Sequence, residues 1–358
     1  MNKKILDLYT DYMMTSTGLV TATGLSNILD KEISHDKVTR FLSGEDFTSK
    51  DLWKEVKVVV RKLESEEDGV LIFDDSIEEK LYSDENEVIC WHWDHSLGRY
   101  VKGINQLTLI YHVKGVTIPI GLDFVRKTKT VFDKKKGKEK RISKDSKHVQ
   151  YRDMLKTAHK MNQVKYRYIL NDNWFASAEN MIFIEEELKK KFVMSLKSNR
   201  KVALSLECQK AGNYVGIESL ELKESTEIYL EGVSFPLRIC KKVLKNQEDK
   251  EVAIYLITND LNLNADKMLE LYRKRWNIET FYKSMKSNCS YSKSPTHTVR
   301  TQINHFFCSV YAVFKYEMIR LNTNLNHFAL KSKIYLKAMK TAMAELWKFK
   351  KLDDFNYA

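Results

Sequence analysis

The sequence predicts an α/β protein with helical ends, and three observations carry that reading. Residues 1–65, and those beyond 264, repeat apolar side chains at helical spacing. Residues 69–258 instead carry short apolar or alternating runs bounded by turn residues. In the first half of that stretch strands give way to helical segments, the order that builds a mixed sheet flanked by helices. The chain has 358 residues, 43% hydrophobic and 30% charged, which is a folding composition. Its 60 Lys+Arg against 48 Asp+Glu leave a net charge of +12, and such an excess favours a polyanionic partner, most simply nucleic acid. No run approaches 18 uncharged apolar residues, so no membrane partner is expected. Met1 to Asp7 reaches an acid too early for a secretory signal. The five cysteines (Cys90, Cys208, Cys240, Cys289, Cys308) form no C-x-x-C pair, which argues for a reducing, cytoplasmic setting.

Taken in order, Ile5, Leu6, Tyr9, Tyr12 and Met13 mark a first helix, and Leu25, Ile28 and Leu29 a second. Ser34 is placed to cap a third that displays Lys37, Thr39 and Arg40 and stops at Gly44. Leu52, Val56, Val59, Val60 and Leu63 mark a fourth. Short helices with tight turns suggest a helical DNA-binding domain over residues 1–65, with Lys37 and Arg40 as base contacts. Its ten acids and ten bases cancel, so a plain helical cap is the alternative. Gly69–Phe73 reads as a buried strand that ends in Asp74-Asp75-Ser76. Residues 104–113 and 116–125 follow as two strands joined at Lys114-Gly115 like a hairpin. Residues 148–161 are helical, 166–170 form a strand ending in Asn171-Asp172, and 177–190 are helical. Residues 191–258 alternate as a β-rich insertion, 259–290 carry a helix with Glu279, and 291–358 form a helical C-terminal region. There, Phe306, Phe307, Val310, Val313 and Phe314 make a stripe suited to core or dimer contact.

Residues 126–147 hold eleven Lys/Arg and three acids, a net +8, two thirds of the whole charge excess. Such a run is either solvated or lies on phosphates. On the phosphate reading Lys134, Lys135, Lys136, Lys138, Lys140 and Arg141 are DNA contacts, with Arg99 and Lys102 added from the strand nearby. Gly98-x4-Gly103 continues Ile104-Asn105 where a P-loop needs Lys-Ser/Thr, so no nucleotide cofactor is expected. Cys90, His92 and His95 lack a second pair and do not read as a zinc site.

Asp75 and Asp172 each follow an apolar strand, where carboxylates from neighbouring strands can converge on a divalent ion, although Asp also commonly ends strands and starts turns. In the segment 271–286, Tyr272, Arg275, Glu279 and Lys286 fall within about 60° on a helical wheel, with Lys283 beside them. Leu271, Ile278, Phe281 and Met285 fall opposite. A solvated ladder Arg275–Glu279–Lys283 would also explain that face.

The spacing Tyr272-x2-Arg275-x3-Glu279-x6-Lys286 resembles in full the signature of the "insertion sequence four" type of bacterial DDE transposases. Asp75 before Ser76 resembles the family's first acid, with Asp74 the alternative, and Asp172 the second. The resemblance covers residues 66–290 and implies an RNase H-like core over 66–190, interrupted by the 191–258 insertion and completed by Glu279. It implies cleavage at the ends of a mobile element and strand transfer into target DNA. Asp75, Asp172 and Glu279 would hold two Mg²⁺ or Mn²⁺ ions, while Tyr272, Arg275, Lys283 and Lys286 contact DNA. The implied partners are double-stranded DNA, as terminal inverted repeats and target, and a second copy in a homodimeric synaptic complex at the bacterial nucleoid. A catalytically idle DNA-binding derivative and a structure-specific nuclease are the alternatives. Some relatives hold a flipped base with a Trp from the insertion. Here all six Trp lie outside 191–258, which leaves Tyr214, Tyr229, Phe235 or Tyr255 for that task.

Overall fold

In the computed structural model, α1 (Lys3–Thr15), α2 (Ala22–Ile28), α3 (His35–Gly44) and α4 (Ser49–Leu63) open the chain. Residues 1–95, 97–134, 137–222, 224–245, 249 and 251–352 are described. Ser34 caps α3, its Oγ accepting the Lys37 N–H at 3.4 Å, and Thr48 with Asp51 closes α4 in a capping box. Strands β1 (Val70–Glu79), β2 (Cys90–Asp94), β3 (Arg99–Val113) and β4 (Val116–Phe124) follow. The basic run then folds as a two-stranded ribbon of β5 (Lys129–Asp133) and β6 (Lys138–Ile142), leading into α5 (Lys147–Lys156). Next come β7 (Tyr168–Asn171), α6 (Ala178–Ile182), β8 (Lys191–Leu196), β9 (Lys201–Ala203), α7 (Leu206–Lys210), β10 (Val215–Gly216), β11 (Thr226–Leu230), β12 (Leu237–Lys245) and β13 (Glu251–Thr258). Helices α8 (Ala265–Arg273), α9 (Trp276–Asn288), α10 (Val299–Thr323) and α11 (His327–Leu352) complete the chain.

The large sheet is mixed, as expected. β4, β3, β1, β7 and β8 lie side by side, the first three antiparallel and β7 and β8 parallel to β1. That is the RNase H-like order. Lys114 and Gly115, at φ 50° and 72°, are both left-handed, which gives the two-residue turn between β3 and β4 the twist its strands need. β8 is a core strand that also pairs antiparallel with β13, so the β-rich insertion extends the same sheet outward through β12, β11, β9 and β10.

The chain divides into two units, residues 1–47 with 281–358, and residues 48–280. α4, which the sequence groups with the first three helices, falls in the second unit, where Ser49 Oγ donates to the Leu122 carbonyl at 2.7 Å. In the first unit α1 and α3 pack on α10, which is buried on nearly every side along its first five turns. Tyr9 OH lies 2.9 Å from His305 Nδ1. Asn304 accepts the Phe47 N–H and donates to the Leu42 and Glu45 carbonyls. Among the described residues no helix is long and apolar enough to cross a membrane.

Candidate active site and nucleic-acid contacts

Neighbouring residues of a strand point to opposite faces, and β1 separates its two acids in this way. Phe73 meets Tyr151 of α5 and Phe175 edge-on, each at 4.8 Å between centroids. Asp75 shares that face, its Oδ2 2.9 Å from Lys147 Nζ at the start of α5 and accepting Asn105 Nδ2 at 2.8 Å. Asp74 takes the other face, with Oδ2 3.7 Å from Arg275 Nη1. Ile72 pairs in parallel with Leu170, and two residues further on the same register sets Asp74 level with Asp172. The structure thus brings Asp74 and not Asp75 to the Arg275 side. Both acids also lie inside β1, not at its end, because pairing with β3 continues to Glu79.

The helical segment 271–286 is broken. α8 ends at Arg273 and α9 begins at Trp276, with tight i→i−3 bonds from Arg275 to Tyr272 and from Ile278 to Arg275 between them. Tyr272, Arg275 and Glu279 therefore do not share one continuous helix face; Arg275 is what joins them. Its guanidinium is buried, lies 5.6 Å from the Tyr272 ring and 5.4 Å from Trp276, and donates to Glu279 Oε1 at 3.2 Å. Tyr272 OH donates to Ser195 Oγ of β8 at 2.9 Å. Lys283 and Lys286 fall in the first unit, Lys283 Nζ 5.4 Å from the Phe328 ring and Lys286 exposed.

Burial, then the Asp172, Asp75 and Glu279 carboxylates, holds the Asp74 carboxyl well above the usual range, offset in part by Arg275. Asp172 is also raised by burial and by the Asp75 carboxylate, against Arg275 and the N–H groups of Trp174 and Phe175 that reach its carboxylate. Among the described residues no three carboxylate, His or Cys side chains stand together as a ready chelate. The donor set nonetheless suits a hard divalent cation: the groups are all oxygen, and the mutual repulsion at Asp74 is what such an ion relieves.

Lys37 and Arg40 are exposed on α3 beside a cavity of about 640 Å³ bounded by α1 and α3. Arg99 pairs with Glu79 at 2.9 Å. Lys102 sits opposite Trp91 across β2 and β3. Lys138, Lys140 and Arg141 line exposed β6, with Lys140 3.6 Å from Asp133, and Lys134 is in the ribbon's turn. Lys135 and Lys136 lie outside the described residues. Cys90 Sγ is 3.3 Å from His92 Nε2 on a buried face while His95 is exposed, so the three form no common ligand set. Sequence reasoning passed over Asn105 and Trp174 and took Lys147 only as one charge of the basic run. Only proximity to the motifs signalled them, Lys147 ending the basic run and Trp174 lying two residues past Asp172.

Two family models match this chain, one described as DDE superfamily endonuclease over residues 1–208 and one as transposase DDE domain over residues 127–312. No curated protein matches it. Among solved structures it is similar to the Drosophila P element transposase strand transfer complex, at 15% identity and a TM-score of 0.26. That similarity covers 52% of this chain and 36% of the other, too slight a likeness to argue from. Each family model spans more than half of the residues, and on that ground the chain belongs to the DDE superfamily of transposases and endonucleases, DNA-cleaving enzymes that depend on divalent metal.

Proposed function

We propose that this chain is a transposase of the "insertion sequence four" type, working in the bacterial cytoplasm at the nucleoid. It would bind the terminal inverted repeats of a mobile element as a homodimer, cut them and join them to target DNA. The observation that carries this reading is the grouping of Asp74, Asp172 and Glu279 around buried Arg275. Asp74 replaces Asp75 as the first catalytic acid in this proposal, because Asp74 stands beside Arg275 while Asp75, whose charge also reaches Asp172, is ion-paired with Lys147.

Asp74, Asp172 and Glu279 would hold two Mg²⁺ or Mn²⁺ ions. When bound, such ions activate the attacking hydroxyl and stabilise the leaving oxygen. The chain's own part is positioning. Asp172 is fixed by two backbone N–H groups, and Tyr272 braces the Arg275 guanidinium against β8. Arg275, buried beside these acids, would hold a non-bridging phosphate oxygen through its planar fork. Lys286 and Lys283, with the β6 cations, would bind flanking phosphates, and Lys37 and Arg40 would read bases.

The test is incubation of the full chain with end DNA and Mg²⁺ or Mn²⁺. Cleavage followed by strand transfer, lost on Asp74→Asn, is the expected result. Cleavage without transfer would mark a nuclease, and binding without cleavage an idle derivative.

A further inference from the structure

We propose that unpaired nucleotides next to the cut stack on a row of aromatic side chains leading away from Asp172, an inference that rests on the transposase reading. The row starts at Trp174, whose backbone N–H donates to Asp172 Oδ1 at 3.0 Å. His95 lies 4.4 Å from the Trp174 ring, Trp93 6.3 Å from His95, and Tyr100 5.1 Å from Trp93. On the β2–β3 pair Trp93 stands opposite Tyr100, and Trp91 opposite Lys102. These share the face away from buried Cys90 and His92. Trp91, Trp93 and Tyr100 are 48%, 43% and 56% exposed. Three large aromatics clustered in water mark a binding surface more often than an accident of packing.

Two further observations select the ligand. Lys147, itself ion-paired with Asp75, and exposed Lys197 place their ammonium groups 5.0 and 5.7 Å from the Trp174 ring, so the row runs beside a cation, Lys197, that suits a phosphate chain. The Trp174 indole N–H is buried and has no acceptor among the described residues, a donor that a phosphate or base oxygen would satisfy. Beyond Tyr100, a groove of about 960 Å³ separates Trp91 and Tyr100 from Lys138, Lys140 and Arg141 of β6, although Glu85, Asp133 and Glu139 line it too. Aromatic faces with flanking cations bind single strands, because every unpaired base offers a π face and a paired, stacked one does not. The ligand class is therefore a short unpaired stretch of DNA.

The experiment measures binding of a fluorescent ten-nucleotide oligothymidylate and of a duplex, without metal, at one fixed salt concentration. The variants are the full chain and its Trp93→Ala/Tyr100→Ala form. Stacking on a ring predicts an oligothymidylate affinity lower by about 5-fold or more per aromatic removed, with duplex affinity unchanged. Trp93→Leu/Tyr100→Leu keeps apolar bulk on the strand pair, guards against misfolding, and should lose as much. Equal affinity in either variant, or an equal loss for duplex, would overturn the proposal. Metal-dependent cleavage of end DNA is assayed in parallel. Its absence with the oligothymidylate effect intact strikes at the transposase reading alone, and normal cleavage with no such effect strikes at the stacking row alone.

Discussion

Asp74 and Asp75 are adjacent in sequence, yet their neighbours give their removal opposite consequences. Asp74 is held among like charges, so Asp74→Asn should abolish metal-dependent cleavage while leaving the melting temperature without metal unchanged or higher. Asp75→Asn should leave cleavage per folded molecule largely intact but cost about 1–3 kcal/mol of stability, since Lys147 loses its partner. Thermal melts alongside a nicking assay separate the two. Arg275→Ala should lower stability without divalent ion by about 1–3 kcal/mol, and added Mg²⁺ should narrow the deficit by taking over the neutralisation of Asp74. A deficit that Mg²⁺ leaves unchanged would mean that no ion binds beside Asp74. The acids of this site were legible as residue types, because an apolar run ending in two aspartates is visible in any reading of residues 69–76. Which aspartate faces Arg275 was not, since that depends on which face of β1 receives α5, a tertiary fact that periodicity does not contain.

At the scale of elements, the β5–β6 ribbon shows how a charge run becomes a structure. Its cross-strand ladder sets Lys140 opposite Val131 and Arg141 opposite Thr130, away from one another's charge. Replacing Lys138, Lys140 and Arg141 with Gln should flatten the slope of log affinity against log salt by about 2 to 3 units; an unchanged slope would mean that the ribbon is merely solvated. The segment 271–286 was legible as helical, but the break at Lys274 and Arg275 was not, because its residues are all good helix formers and the turn is stabilised by what Arg275 reaches. β2 escaped for a related reason. Its alternation puts Trp91 and Trp93 outward and Cys90 and His92 inward, the reverse of what side-chain size suggests.

For the molecule as a whole, pH and topology make distinct demands. Burial, reinforced by Lys127 and Lys147, depresses His92 to about 3. A depressed histidine favours the fold above its unfolded value near 6.5 and withdraws that support as pH falls from there toward about 3, because only the unfolded chain takes up the proton. Stability should fall across that window by up to about 1.4 kcal/mol per pH unit, and His92→Gln should remove that part of the slope in pH-dependent denaturant melts. Recognition of element ends cannot be tested cleanly by cutting the chain at residue 66, since α4 belongs with residues 48–280 and residues 1–47 with 281–358. Lys37→Ala/Arg40→Ala leaves both units whole and should reduce the preference for end DNA over random DNA, measured by competition at fixed salt.

That division of the chain also sets an order in time. Residues 48–280 are continuous and can close their core as soon as they leave the ribosome. The first 47 residues cannot, because Tyr9 waits for His305, and at roughly 5–20 residues per second that partner arrives some 15 to 60 s later. Throughout that interval Leu6, Tyr9 and Met13, all buried in the finished protein, stay in water at the head of the nascent chain. The newborn protein therefore has a window, fixed by where its halves were placed along the message, in which a holdase or another nascent chain competes for the same surface.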